Sequence, residues 1–95
     1  MNTLNFKEIE GKDKGKIELY ALSTCVWCKK TKKLLDKLKV KYSFVYVDHL
    51  DEKEKDEIRE KLQKLTGRCS FPTIVINKKD YIVGFKITEI NEAFN

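Results

Sequence analysis

Cys25-Val26-Trp27-Cys28 stands where the hydrophobic pattern changes period. Before it, residues 16–22 (KIELYAL) form a short apolar run that begins with alternation, as a strand does. After it, Trp27, Thr31, Leu34, Leu35 and Leu38 recur at the spacing of one helical face. The two thiols therefore fall at a strand-loop-helix junction, with Ser23 and Thr24 in the loop. At the first turn of a helix the backbone N–H groups lack partners and the helix dipole is positive, so a thiolate at Cys25 is favoured. Lys29 and Lys30 add positive potential to the same place. Cys28 lies one turn further on, close enough to bridge to Cys25 yet less exposed. Cys25 is the expected nucleophile and Cys28 the expected resolving thiol.

The rest of the chain supplies the elements around that junction. Residues 42–47 (YSFVYV) are rich in β-branched and aromatic side chains and read as a buried strand, with Asp48 ending it as a turn residue. Asp51 with Glu54 three residues later has the form of a capping box, and Ile58, Leu62 and Leu65 then mark a helical face that stops at Gly67. Residues 73–76 (TIVI) read as a strand, 77–79 as a tight turn, and 81–83 as the returning hairpin strand ending at Gly84. Ile87, Ile90 and Phe94 fit one face of a short last helix. The order β-α-β-α-β-β-α, with a right-handed crossover between the first two strands, gives a four-stranded mixed sheet flanked by three helices. That is the α/β layout of a thioredoxin fold. Residues 1–15 are polar and form either an arm or an extra edge strand carrying Leu4, Phe6 and Ile9, ahead of a single domain over 16–95.

Composition narrows the function classes. Ninety-five residues make one domain with a small core, so a shallow working site is expected rather than a large internal cavity. Three cysteines cannot close a disulfide framework, and the N-terminal residues carry no apolar stretch of a secretory signal, which points to a reducing, cytoplasmic setting. No apolar run is long enough to span a bilayer. The net charge of +5 is concentrated over 29–41, where seven lysines face the single acid Asp36. Without interleaved aromatics or a binding motif this stretch does not read as a nucleic-acid patch. It reads first as a solvated helix face, with tuning of the thiol and docking of acidic partners as the alternative.

Ligand count bears on other uses of the cysteines. A structural zinc site takes four ligands, and beyond Cys25 and Cys28 only Cys69 and the lone His49 remain. His49 follows the second strand and suits a surface or capping position. Cys69 lies three residues before Pro72, as a packing cysteine or an oxidisable third thiol at the border of the site. Trp27 is expected as an aromatic platform beside Cys25, with a core-facing ring as the alternative.

The segments STCVWCKKTKKLL and SFPTIVINKKDYIVGF resemble the glutaredoxins, from about Lys16 to the C-terminus. The resemblance implies that Ser70, Phe71 and Pro72 match the family's Thr-Val-Pro segment, that Pro72 is cis, and that the Phe71 backbone pairs with a disulfide substrate. With Trp27 these are the expected substrate-binding residues. Two departures bear on glutathione. Leu22 stands where many glutathione-using members have a lysine, and Gly84-Phe85-Lys86-Ile87 lacks their second glycine and aspartate. Lys30 or Arg68 would replace the missing charge only in part, and Phe85 would hinder the close backbone approach that glycine permits. The pattern is similar to a short prokaryotic glutaredoxin-like subgroup. It implies a dithiol-disulfide oxidoreductase, a monomer without cofactor or bound metal, that reduces protein or small-molecule disulfides with weak or no dependence on glutathione. Another thiol reductant or a dedicated disulfide reductase would reset it. The alternative is a metal-binding module holding zinc or a shared iron–sulfur cluster on the same cysteines, although the single-cysteine CGFS-type motif of the known cluster carriers is absent.

Overall fold

The computed structural model describes residues 6–94. Its elements are β1 (Lys7–Ile9), β2 (Ile17–Ala21), α1 (Val26–Leu38), β3 (Tyr42–Tyr46), a single 3-10 turn (Val47–His49), α2 (Glu52–Thr66), β4 (Thr73–Ile76), β5 (Asp80–Val83) and α3 (Ile87–Phe94). The strands form one sheet in the order β1-β3-β2-β4-β5. Strands β2 and β3 are parallel across the α1 crossover, while β4 and β5 are antiparallel additions on one side and β1 an antiparallel edge on the other. This is the thioredoxin-like arrangement expected from the element order, with the extra strand present as β1, so the sheet has five strands among the described residues. Leu4, assigned to that strand from sequence, lies outside the described residues.

The segment after β1 is tied down at both ends of a short bridge. Lys12 N–H donates to the Lys39 carbonyl and Lys41 N–H to the Lys12 carbonyl, each at 2.8 Å. Gly11 makes the approach feasible, because a Cβ there would come within 2.5 Å of the Val40 carbonyl carbon.

Helices cover both faces of the sheet. All five residues of β2 are buried, as a central strand sandwiched between helical layers requires. On one face Leu19, Ala21, Phe44 and Ile74 pack with Cys28 and Leu35 of α1 and Ile90 and Phe94 of α3. On the other, Tyr20, Val45 and Val75 pack with Ile58 and Leu62 of α2.

The local signals at α2 take their expected forms. Asp51 and Glu54 make a reciprocal capping box, and Gly67 ends the helix at φ 82°. The β4–β5 turn uses Asn77 and Lys78 at φ 52° and 62°, and the Asn77 side chain accepts from Lys16 N–H at 2.8 Å.

One expected core position differs. Ile87 is 51% exposed, because only Ile90 and Phe94 of α3 reach the sheet. The buried stripe of α1 is Cys28, Thr31 and Leu35, and Trp27 points outward at 55% exposure rather than into the core.

Candidate active site

Cys25 occupies the N-cap of α1 in extended geometry (φ −87°, ψ 119°). The position ordinarily holds Ser, Thr, Asp or Asn, whose oxygen accepts from a first-turn N–H. Here the acceptor is sulfur: Cys28 N–H donates to Cys25 Sγ at 3.2 Å. One orphan donor of the helix end is thereby directed at the half-buried Cys25 sulfur. Cys25 N–H in turn donates to the Leu22 carbonyl at 3.1 Å, which closes the loop between β2 and α1.

Cys28 is 1% exposed, packed in the α1–α3 face of the core. Burial, a hydrogen bond with Cys25 and the nearby Asp48 carboxylate push its thiol up to about 12, a Leu22 backbone contact opposing them in part. The two cysteines are free thiols with opposite surroundings, one at the helix cap and open to approach, the other enclosed and held protonated.

Asp48 lies on the 3-10 turn that follows β3, as a turn residue should, but its side chain is aimed at the cysteine loop. Ser23 N–H donates to Asp48 Oδ1 at 2.9 Å, and the Ser23 hydroxyl donates to Oδ2. These bonds hold the Asp48 carboxyl below the usual aspartate range, the Ser23 hydroxyl first among the causes. Its part in positioning the loop was not apparent from sequence, since the two residues are 25 apart. His49 beside it is exposed, 3.9 Å from Asp48.

Phe71 and Pro72 form a wall of the site, Phe71 packing like Cys25 against the core cluster that holds Cys28. The Phe71–Pro72 peptide bond is cis, and the Pro72 carbonyl accepts from Gly84 N–H at 2.8 Å. The Ser70 carbonyl accepts from the Thr73 hydroxyl at 2.6 Å, which shapes the approach to β4. Among the described residues no hydrogen bond engages the Phe71 N–H or carbonyl.

Two clefts flank this wall. On the α1 side a cleft of about 300 Å³ is lined by Trp27, Phe71, Pro72, Gly84 and Phe85. On the α2 side a pocket of about 190 Å³ is lined by Leu22, Asp48, Lys55, Ile58, Arg59, Cys69 and Phe71, with Val47. Lys30 and Arg68, named from sequence as partial replacements for a lysine at position 22, are elsewhere: Lys30 Nζ sits 4.7 Å above the Trp27 ring, and Arg68 is exposed outside the pocket. The bases that do line it, Lys55 and Arg59, are four apart on α2 and had only the signature of a charged helix face. Cys69 is half-buried there, and among the described residues no cluster of three or more His, Cys, Asp or Glu is placed to hold a metal ion.

The glutaredoxin family model matches residues 17–82. The chain belongs to the glutaredoxin family. It is 36% identical over 76 residues to an uncharacterized glutaredoxin-like 8.6 kDa protein in the rubredoxin operon of Clostridium pasteurianum, covering 80% of this chain and 93% of that one. It is 35% identical over 66 residues to glutaredoxin-1 of Sus scrofa, a match that covers 68% of this chain but only 62% of the pig protein's length. The glutaredoxin of Methanosarcina mazei Go1 superposes with a TM-score of 0.88 at 45% identity, over 100% of this chain and 99% of that one. Methanoredoxin of Methanosarcina acetivorans superposes at 0.85 and 49% identity, over 90% of each.

Proposed function

We propose that this glutaredoxin is a dithiol-disulfide oxidoreductase that acts on protein or small-molecule disulfides and depends weakly, if at all, on glutathione. The observation that carries the reading is the asymmetry of the pair, with Cys25 Sγ receiving a helix-end N–H and Cys28 buried and kept protonated.

Cys25 as thiolate attacks one sulfur of the substrate disulfide, forming a mixed disulfide while the other substrate sulfur leaves and takes up a proton. An extended substrate chain pairs with the free N–H and carbonyl of Phe71, which holds the disulfide beside the helix cap. Cys28 then loses its proton and attacks Cys25 Sγ, the Cys25–Cys28 disulfide forms, and the second substrate sulfur leaves as a thiol. Two electrons and two protons pass from the protein to the substrate, and an external thiol or a disulfide reductase returns them.

Weak coupling to glutathione is supported by Leu22, which leaves the wall of its pocket apolar at that point, and by Phe85, which fills the opposite side with an aromatic ring. The test is reduction of insulin by dithiothreitol, with and without the protein, beside turnover of a glutathione mixed disulfide by glutathione and its reductase. Acceleration of the first reaction that disappears in Cys25→Ser supports the mechanism, and full activity in that variant refutes it. Efficient turnover in the second reaction refutes glutathione independence. Visible absorbance from an iron–sulfur cluster after anaerobic purification would favour the metal-binding alternative instead.

A further inference from the structure

Val26, Trp27 and Phe85 place large apolar groups at the mouth of the site, with Val26 61% and Trp27 55% exposed. The Trp27 and Phe85 rings lie 5.8 Å apart between centroids with an interplanar angle of 30°, and they wall the cleft whose floor is Phe71, Pro72 and Gly84. An aromatic slot of this kind gains most free energy when another apolar group covers it, and it offers no hydrogen-bond partner to a carboxylate. One cation stands at the rim, and others follow it on α1. Lys30 sits over the Trp27 ring, and among the described residues Lys29, Lys30 and Lys33 enter no ion pair. The unengaged backbone of Phe71 at the floor suits an extended polypeptide rather than a small molecule.

We infer that the Trp27–Phe85 cleft selects polypeptide disulfides in which a large apolar residue stands next to the reacting cysteine within an acidic segment. The inference rests on the oxidoreductase reading above and names its substrate class. In each turnover the Cys25–Cys28 dithiol gives two electrons and two protons to the peptide disulfide, and dithiothreitol restores them as it closes to its cyclic disulfide.

Three disulfide-linked peptide dimers test it, with dithiothreitol as reductant and the uncatalysed rate subtracted. One has Phe and Leu flanking the cysteine among glutamates, the second has Gly at both flanks among the same glutamates, and the third keeps Phe and Leu but carries lysines. The expected kcat/KM favours the first over the second about tenfold, equivalent to about 1.4 kcal/mol. The first should also exceed the third several-fold at low salt, with that gap closing as salt is raised. In Phe85→Gly, and separately in Trp27→Ala on the exposed tip of α1, the tenfold preference should fall to about twofold or less. Equal rates for the first two peptides, or a preference that persists in both variants, overturns the inference while leaving the oxidoreductase intact. Failure to accelerate reduction of any peptide or of insulin removes the oxidoreductase reading and this inference with it.

Discussion

Replacing Asp48 should loosen the loop that presents Cys25, and the structure sets the size of the effect. The carboxylate takes two hydrogen bonds from Ser23, one from the backbone N–H at 2.9 Å and one from the hydroxyl. Bonds to an ionised acceptor contribute about 1.5–3 kcal/mol each, net of competition with water. The Asp48 side chain is 34% exposed, so water replaces part of what is lost and the lower end of that range, further reduced, applies. Asp48→Ala, which strands both donors, should cost about 2 kcal/mol, and Asp48→Asn, whose single amide oxygen keeps one of them, about 1 kcal/mol. For a domain of this size the alanine variant should melt about 10 °C lower.

The pH dependence identifies the cause. Folding holds the Asp48 carboxyl below its ordinary value, so its contribution is complete above about pH 3.9 and fades as the pH falls from there through the folded-state value. Urea denaturation of wild type and Asp48→Asn at several pH values between 7 and 2.5 should therefore show a gap that is constant from pH 7 to about 5 and narrows in acid. A double-mutant cycle with Ser23→Ala should give a coupling of about 0.5 kcal/mol or more. Equal stabilities at pH 7, a gap that does not narrow in acid, or a coupling near zero would refute the clamp.

Alkaline pH should weaken the fold through Cys28, Tyr20 and Tyr42. Burial raises all three, so the folded chain keeps protons that the unfolded chain has lost, and stability should be full below about pH 8.5 and decline above it. Urea midpoints at pH 7, 9 and 10.5 would show the decline, and Cys28→Ala should make it shallower. Glu18 is 7% exposed on the central strand β2, and its Oε1 has no hydrogen-bond partner among the described residues. Glu18→Val should therefore raise stability by about 1–2 kcal/mol, and a loss in chemical denaturation would show that the carboxylate is compensated. Tyr42→Phe removes a hydroxyl that donates to Asp36 at 2.6 Å, which should cost about 1–2 kcal/mol by thermal melting. A melt unchanged from wild type would count against that bond. Finally, if Cys28 is the resolving thiol, Cys28→Ser should trap a covalent mixed disulfide with a substrate peptide, detectable as a mass increase that dithiothreitol removes. A trapped adduct on Cys28 in Cys25→Ser of equal yield would reverse the assignment of roles.

The readable part of this chain is the part written in short-range terms. A capping box needs only Asp51 and Glu54, which meet within one turn, and a left-handed helix end needs only Gly67. The crossover of β2 to β3 follows from strand, helix and strand in succession. The Cys25 N-cap is local as well, since its acceptor role involves Cys28 N–H three residues on. Orientation at the tip of α1 is different, because Trp27 and Cys28 are adjacent and periodicity cannot choose which of them faces the sheet. Packing decides it, by seating Cys28 among Ala21, Leu35 and Ile90 in one core cluster and leaving Trp27 to meet Phe85.

The same limit explains the rest of the site. Asp48 reaches Ser23 across the parallel β2–β3 pair, and Lys55 and Arg59 come to Leu22 and Cys69 only because α2 lies over that edge of the loop. On a helix they are indistinguishable from bases on any solvated face, and both do make such pairs, with Glu52 at 3.6 Å and Asp56 at 2.7 Å. Lys30 looked like the replacement for a lysine at position 22 because it is close in sequence to the cysteines. One turn of helix turns it instead toward the outer face with Trp27. On the function proposed above, reactivity is encoded next to the thiols and selectivity at residues that the fold brings together, so substitutions in the β5–α3 loop or at Lys55 and Arg59 of α2 should change partners before they change chemistry.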